Sequence, residues 1–81
     1  MANKFRLVIA SVGDTLYDSE AQSATFPGAA GVFEILPHHE SIIAPLKEGT
    51  VVVKTGDGER KEFAVTGGIV ECAQNKVVVL L

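Results

Sequence analysis

Thr50-Val51-Val52-Val53-Lys54-Thr55-Gly56-Asp57-Gly58-Glu59-Arg60-Lys61-Glu62-Phe63-Ala64-Val65 reads as two strands around a tight turn. Thr50 to Lys54 is a β-branched run, and Lys61 to Val65 follows it after five turn-forming residues. Gly56, Gly58 and Asp57 supply the positive-φ positions that a hairpin needs. A second hairpin is written in Ile69 to Ala73 and Val77 to Leu81, around Gln74-Asn75-Lys76. Asn75 suits its left-handed turn position.

The same grammar extends toward the N-terminus. Ile42-Ile43-Ala44-Pro45-Leu46 reads as a short edge segment, because Pro45 has no amide to donate to an inner ladder. Lys47-Glu48-Gly49 turns the chain after it. Val32 to Leu36 is an apolar strand stopped by Pro37 and preceded by a loop that Pro27-Gly28 and Gly31 bracket. Phe33 is expected in its core. Phe5 to Ile9 and Thr15-Leu16-Tyr17 form two opening strands across a turn at Gly13-Asp14, and Ser19 to Phe26 forms the next. No segment repeats apolar residues at helical spacing over helical length, so no long helix is expected. Residues 1–81 are read as one all-β domain, a β-sandwich of two sheets with about eight to ten short strands.

Composition excludes several classes. The chain has 81 residues, 47% of them apolar and 21% charged, well away from the disordered range. At this length folding buries about 60–65% of the unfolded surface, so the stability margin is modest. A net charge of −3 with isolated Lys and Arg residues offers no basic stripe for nucleic acid. The run Leu7-Val8-Ile9-Ala10 ends at Ser11, too early for a signal-peptide core or a membrane span. The chain is read as soluble, with membrane contact only through a partner. One cysteine, Cys72, can form no internal disulfide, and a reducing compartment is the simpler reading.

Candidate chemistry is sparse. His38-His39-Glu40 is the one cluster of metal-capable side chains, but strand neighbours point to opposite faces and a third ligand at zinc-like spacing is missing. It reads as a polar loop or a protein contact. Gly28-Ala29-Ala30-Gly31 lacks the Lys-Ser or Lys-Thr of a phosphate loop and runs into a strand. It reads as a turn whose small residues also admit another chain closely. Asp57 and Glu59 are solvated hairpin residues, and Asp14, Asp18 and Glu20 suggest no acid–base pair. Cys72 reads as a small buried hydrophobe, and Gly67-Gly68 as a bulge or a close backbone crossing. No catalytic residue, metal or cofactor is assigned.

Several of these motifs, in order, resemble the epsilon subunit of F-type ATP synthases. They are Pro27-Gly28 with Gly31 and Phe33, Ile35-Leu36-Pro37 with His39, Leu46-Lys47 with Gly49, the Gly67-Gly68 strand and the Asn75 hairpin. The resemblance implies an N-terminal β-sandwich and a non-catalytic part of the rotating central stalk, joining gamma to the membrane c-ring and coupling proton or sodium flow to ATP synthesis. It implies a gamma-facing surface at Ser11, His39 and Ala44, and a c-ring-facing loop at Gly28, Ala29, Ala30, Gly31 and Val32. It also implies residence at the cytoplasmic face of a bacterial inner membrane, or an organellar equivalent. Glu34 and His38 stand where the family usually has glycine, and Ser41 and Glu48 replace frequent prolines. The family usually continues into a C-terminal helical hairpin that inhibits ATP hydrolysis and in some members binds ATP, and neither of those roles is carried over to these 81 residues.

Two rival readings stand beside this one. A stand-alone binding module requires a concave pocket with converging polar groups. An enzyme would require His38, His39 and Cys72 within hydrogen-bond reach.

Overall fold

In the computed structural model, which describes residues 3–81, the chain forms eight strands. They are β1 (Phe5–Ser11), β2 (Asp14–Gly28), β3 (Gly31–Ile35), β4 (Ile42–Leu46), β5 (Gly49–Thr55), β6 (Arg60–Val65), β7 (Gly68–Ala73) and β8 (Lys76–Leu80). Both hairpins form as the sequence implies. Val53 pairs Lys61 across the first, and Cys72 pairs Val77 across the second. Their turn chemistry differs in detail. Of the five residues Thr55 to Glu59, Gly58 alone has positive φ, at 88°, while Gly56 and Asp57 do not. Thr55 closes that turn instead, its Oγ1 accepting the Glu59 amide at 3.0 Å. The second turn is the two-residue Gln74-Asn75, with φ of 51° and 61°. Left-handed φ at both central positions makes it the type I′ turn that matches strand twist.

The main departure from the sequence reading is β2. Thr15 to Tyr17 and Ser19 to Phe26 are not separate strands but one strand of 15 residues. Asp18 does not interrupt it, because it sits opposite Val8 and receives the Arg6 guanidinium, Nε to Oδ1 at 3.0 Å. Asp14 to Ala21 of β2 pairs with β1. Beyond a bulge at Gln22, Ser23 to Thr25 pairs with β5 and Ala24 to Gly28 with β3. An extra residue bends a strand and increases its twist, and here it lets one strand serve both layers. Gln22 also pins the corner, its Nε2 donating to the Gly56 carbonyl at 3.1 Å.

The sandwich is therefore continuous, not two detached sheets. Its ladder runs β1-β8-β7-β4-β2-β5-β6 with β3 on β2, and β1 returns to pair with β2. One layer is β1-β8-β7-β4 with the first half of β2, and the other is β3, the second half of β2, β5 and β6. As the Pro45 argument requires, β4 is nearly an edge, pairing fully with β7 but touching β2 only at Gly28 opposite Leu46. Pro45 spends its carbonyl outward, accepting the Ala29 amide at 2.9 Å.

Period-two alternation fills the space between the layers. Phe5, Leu7 and Ile9 of β1, Val70 and Cys72 of β7, and Val77 and Val79 of β8 face Ala24, Phe26, Ile35, Val51, Val53 and Val65 in one buried cluster. Phe33, expected in the core, packs against its margin. It is half-buried and stacks on Phe26 with centroids 5.4 Å apart, while Phe26 is fully enclosed.

The connection from β3 to β4 carries a strained residue. Leu36-Pro37-His38-His39 is closed by the His39 amide donating to the Leu36 carbonyl at 3.2 Å. Pro37 presets the first central position, and His38 takes φ of 65° at the second, as in a type II turn. A side chain in that region costs about 1 kcal/mol or more, and glycine escapes the penalty. His38→Gly is accordingly expected to stabilise the domain by about 0.5–1 kcal/mol, raising its melting midpoint by several degrees. A lowered midpoint would show that the imidazole itself supports the turn.

Candidate functional site

Ser11, His39 and Ala44 do not form one compact patch. Ser11 ends β1, next to Val12, which is 98% exposed. His39 lies in the turn before β4, at the opposite end of the same layer. Ala44 pairs Val70 in an inward-facing row that continues through Val79 to Ile9. It opens sideways onto the Gly28 loop, sharing with Gly28, Ala29, Ala30, Gly31, Phe33 and Pro45 an apolar groove of about 290 Å³.

Between Ser11 and His39 lies a surface that sequence reading missed. Pro45, Ile69, Leu80 and Ala10 stand in one cross-strand row on the outer face of the β4-β7-β8-β1 layer. Ile43, Glu71, Val78 and Val8 form the next row. Ile43 is 72% exposed, Leu80 59% and Ile69 50%. Single exposed aliphatics are ordinary, but several adjacent ones on one sheet face mark an interaction surface. The signal was present: Ile42-Ile43-Ala44-Pro45-Leu46 and Val77-Val78-Val79-Leu80 are apolar at both parities, as in strands covered on both faces.

The Gly28 loop is a short, stiff hairpin end. Gly28 pairs Gly31, leaving Ala29 and Ala30 exposed at the tip and Val32 73% exposed beside them. No side chain fits at position 28. A Cβ there would lie 2.5 Å from the Gly31 carbonyl oxygen and 2.8 Å from the Phe33 ring. The tip is tied down twice, by Ala29 to Pro45 and by the Lys47 amide donating to the Pro27 carbonyl at 2.9 Å.

The residues of the enzyme reading do not assemble a nucleophile. The Cys72 thiol is buried, and burial pushes its pKa up, opposite to what a reactive thiolate needs. Its near neighbour is the His39 carbonyl oxygen, at 4.0 Å, while His39 Nδ1 lies 2.7 Å from the Glu40 carbonyl oxygen. A polar cleft of about 220 Å³ lies elsewhere, lined by Lys4, Tyr17, Glu20, Asp57, Glu59 and Lys61 among others. Tyr17 is engaged there, its hydroxyl donating to the Glu20 carbonyl at 2.6 Å and its ring lying 5.9 Å from Lys61 Nζ. Among the described residues no group of three or more His, Cys, Asp or Glu side chains is placed to hold a metal ion.

Residues 4–81 match the family described as ATP synthase, Delta/Epsilon chain, beta-sandwich domain. The chain belongs to that family. Curated relatives of this delta/epsilon-type domain include the ATP synthase epsilon chains of Thioalkalivibrio sulfidiphilus, 38% identical, and Campylobacter fetus subsp. fetus, 33% identical. The first is matched over 99% of this chain and 57% of its own length, the second over 98% and 61%. The delta/epsilon-type chain thus spans about three-fifths of these relatives. Its fold matches a chain of the Euglena gracilis mitochondrial ATP synthase with a TM-score of 0.88 at 17% identity, covering 99% of this chain and 51% of that one. A chain of the Tetrahymena thermophila mitochondrial ATP synthase central stalk and c-ring matches with a TM-score of 0.78 at 15% identity.

Proposed function

We propose that this domain is a non-catalytic central-stalk element of a rotary ATP synthase, seated between gamma and the c-ring and helping to couple ion flow to ATP synthesis. The observation that carries the reading is the exposed apolar face Ile43-Ile69-Leu80 on a domain of the delta/epsilon family. Gamma takes that face, with Ser11 and His39 at its two ends and Ala44 at its rim. The c-ring takes the loop Gly28, Ala29, Ala30, Gly31 and Val32, at the Pro45 end of the layer. Such a complex belongs at the cytoplasmic face of a bacterial membrane or its organellar equivalent.

The geometry suits a coupling part. Torque between ring and stalk is wasted in a compliant adaptor, and here both surfaces sit on one cross-braced ladder. The proposed contact loop is fixed by backbone hydrogen bonds and carries no long side chain at its tip. Little conformational freedom is left to lose on docking.

Ile43→Lys tests the assignment. The side chain is outward and sits opposite Glu71, so the lysine has a cross-strand partner and stability should change by less than about 1 kcal/mol. Calorimetric titration with the same organism's gamma subunit should show binding weakened about tenfold or more, as for loss of a buried apolar anchor. Unchanged affinity in a folded variant would remove gamma from this face.

A further inference from the structure

Among the described residues, Asn75 alone uses its side chain to hydrogen-bond two other segments. Its Oδ1 accepts the His38 amide at 2.7 Å, and its Nδ2 donates to the Lys4 carbonyl at 2.9 Å. Its own carbonyl accepts the Arg6 amide at 3.2 Å. The two side-chain partners differ in kind, one an N–H and one a C=O, so only a carboxamide in this orientation satisfies both. One residue of the closing hairpin thereby ties the turn before β4, 37 positions earlier, to the start of β1, 71 positions earlier.

We propose that Asn75 is a positioning residue for recognition of gamma through His39. The inference rests on the reading of His39 as gamma-facing. His38 sits in a left-handed conformation, and among the described residues the bond from its amide to Asn75 is the one hydrogen bond that reaches it from outside its own turn. With that bond, Leu36 to His39 is held closed and the His39 ring is held with its Nδ1 against the Glu40 carbonyl. Without it, His38 has no tether in its disfavoured conformation and the turn can relax to alternatives that aim His39 elsewhere. Orienting a contact residue before binding lowers the ordering cost of association.

Two variants separate this role from simple stabilisation. Asn75→Gly keeps the left-handed turn but deletes both side-chain bonds. Asn75→Asp keeps an acceptor for the His38 amide, while it loses the donor to Lys4 and sets a carboxylate oxygen against that carbonyl. Both are expected to melt below wild type, and binding to the gamma subunit is measured by calorimetry at a temperature where each is folded. Asn75→Gly should bind about tenfold more weakly, His39→Ala about equally weakly, and the double variant no more weakly than either, the signature of residues acting as one unit. Asn75→Asp should stay within about threefold of wild type. Should Asn75→Gly not fold, the same truncation is made in the His38→Gly background, which relieves the strained turn, and is compared with His38→Gly alone. If the Gly and Asp variants bind alike, or if the losses at Asn75 and His39 add, the positioning role is overturned and the gamma reading survives. If wild type does not bind gamma, both fall.

Discussion

Replacing Phe26 with alanine is expected to remove about 3–5 kcal/mol of stability, the usual loss for a large ring deleted from a closed core. Phe26 is 0% exposed, and it stands on the second half of β2, opposite Phe33, against which it stacks. The deletion also strips one face from Phe33 and leaves a hole that neighbouring β-branched residues cannot close without leaving their rotamers. For a domain of this length each kcal/mol corresponds to about 4–8 °C, so the melting midpoint should fall by tens of degrees. Phe33→Ala, at the half-buried partner, should cost distinctly less. A larger effect at Phe33 than at Phe26 would mean that the two rings have been assigned the wrong roles.

The second large effect is expected at Gly68, where the backbone takes φ of 138°. That region is almost confined to glycine and costs other residues about 1–3 kcal/mol. Space is lacking as well. A Cβ at position 68 would lie 2.6 Å from the Leu80 carbonyl oxygen and 3.0 Å from Leu81 Cδ2. Backbone cannot yield as a flexible side chain can, so β7 would have to separate from the end of β8. Gly68→Ala should therefore lose about 3 kcal/mol or more by denaturant unfolding, the sum of strain and overpacking. Ala73→Gly on the same strand, exposed and unstrained, is the control, with an expected loss below about 1 kcal/mol. Equal losses at the two positions would contradict the close approach.

What was legible in the sequence was punctuation. Asn75, Gly58 and Pro37 each act through their own φ, a local property, and the turns they mark are where they should be. Pro45 placed β4 at an edge for the same reason, since a missing amide is missing in any fold. The all-β sandwich class followed from strand-length apolar runs between such marks. The family resemblance rests on the same marks taken in order, each of them local.

What was not legible depended on partners distant in sequence. Asp18 looks like an interruption, yet it is paired through Arg6, and Gln22, inside the expected strand Ser19 to Phe26, is the extra residue of a bulge whose partner strand starts at Gly49. The ranking of Phe26 above Phe33 depends on which side of β2 the second layer covers. The apolar outer face was hidden because residues at both parities of β4 and β8 are aliphatic, so alternation alone does not say which set turns inward. Ala44 shows the same limit, since its inward parity and its place beside the Gly28 groove depend on which side of β4 the other layer covers.

Because β2 belongs to both layers, the domain has no internal seam. The two layers are joined along one backbone as well as by side-chain packing, so a displacement of one is carried to the other through β2. Such a body meets its neighbours with the shape it already has. On the proposed reading, complementarity falls to the partners, and a rotor built around this piece would evolve by reshaping the sockets, with the plug held constant.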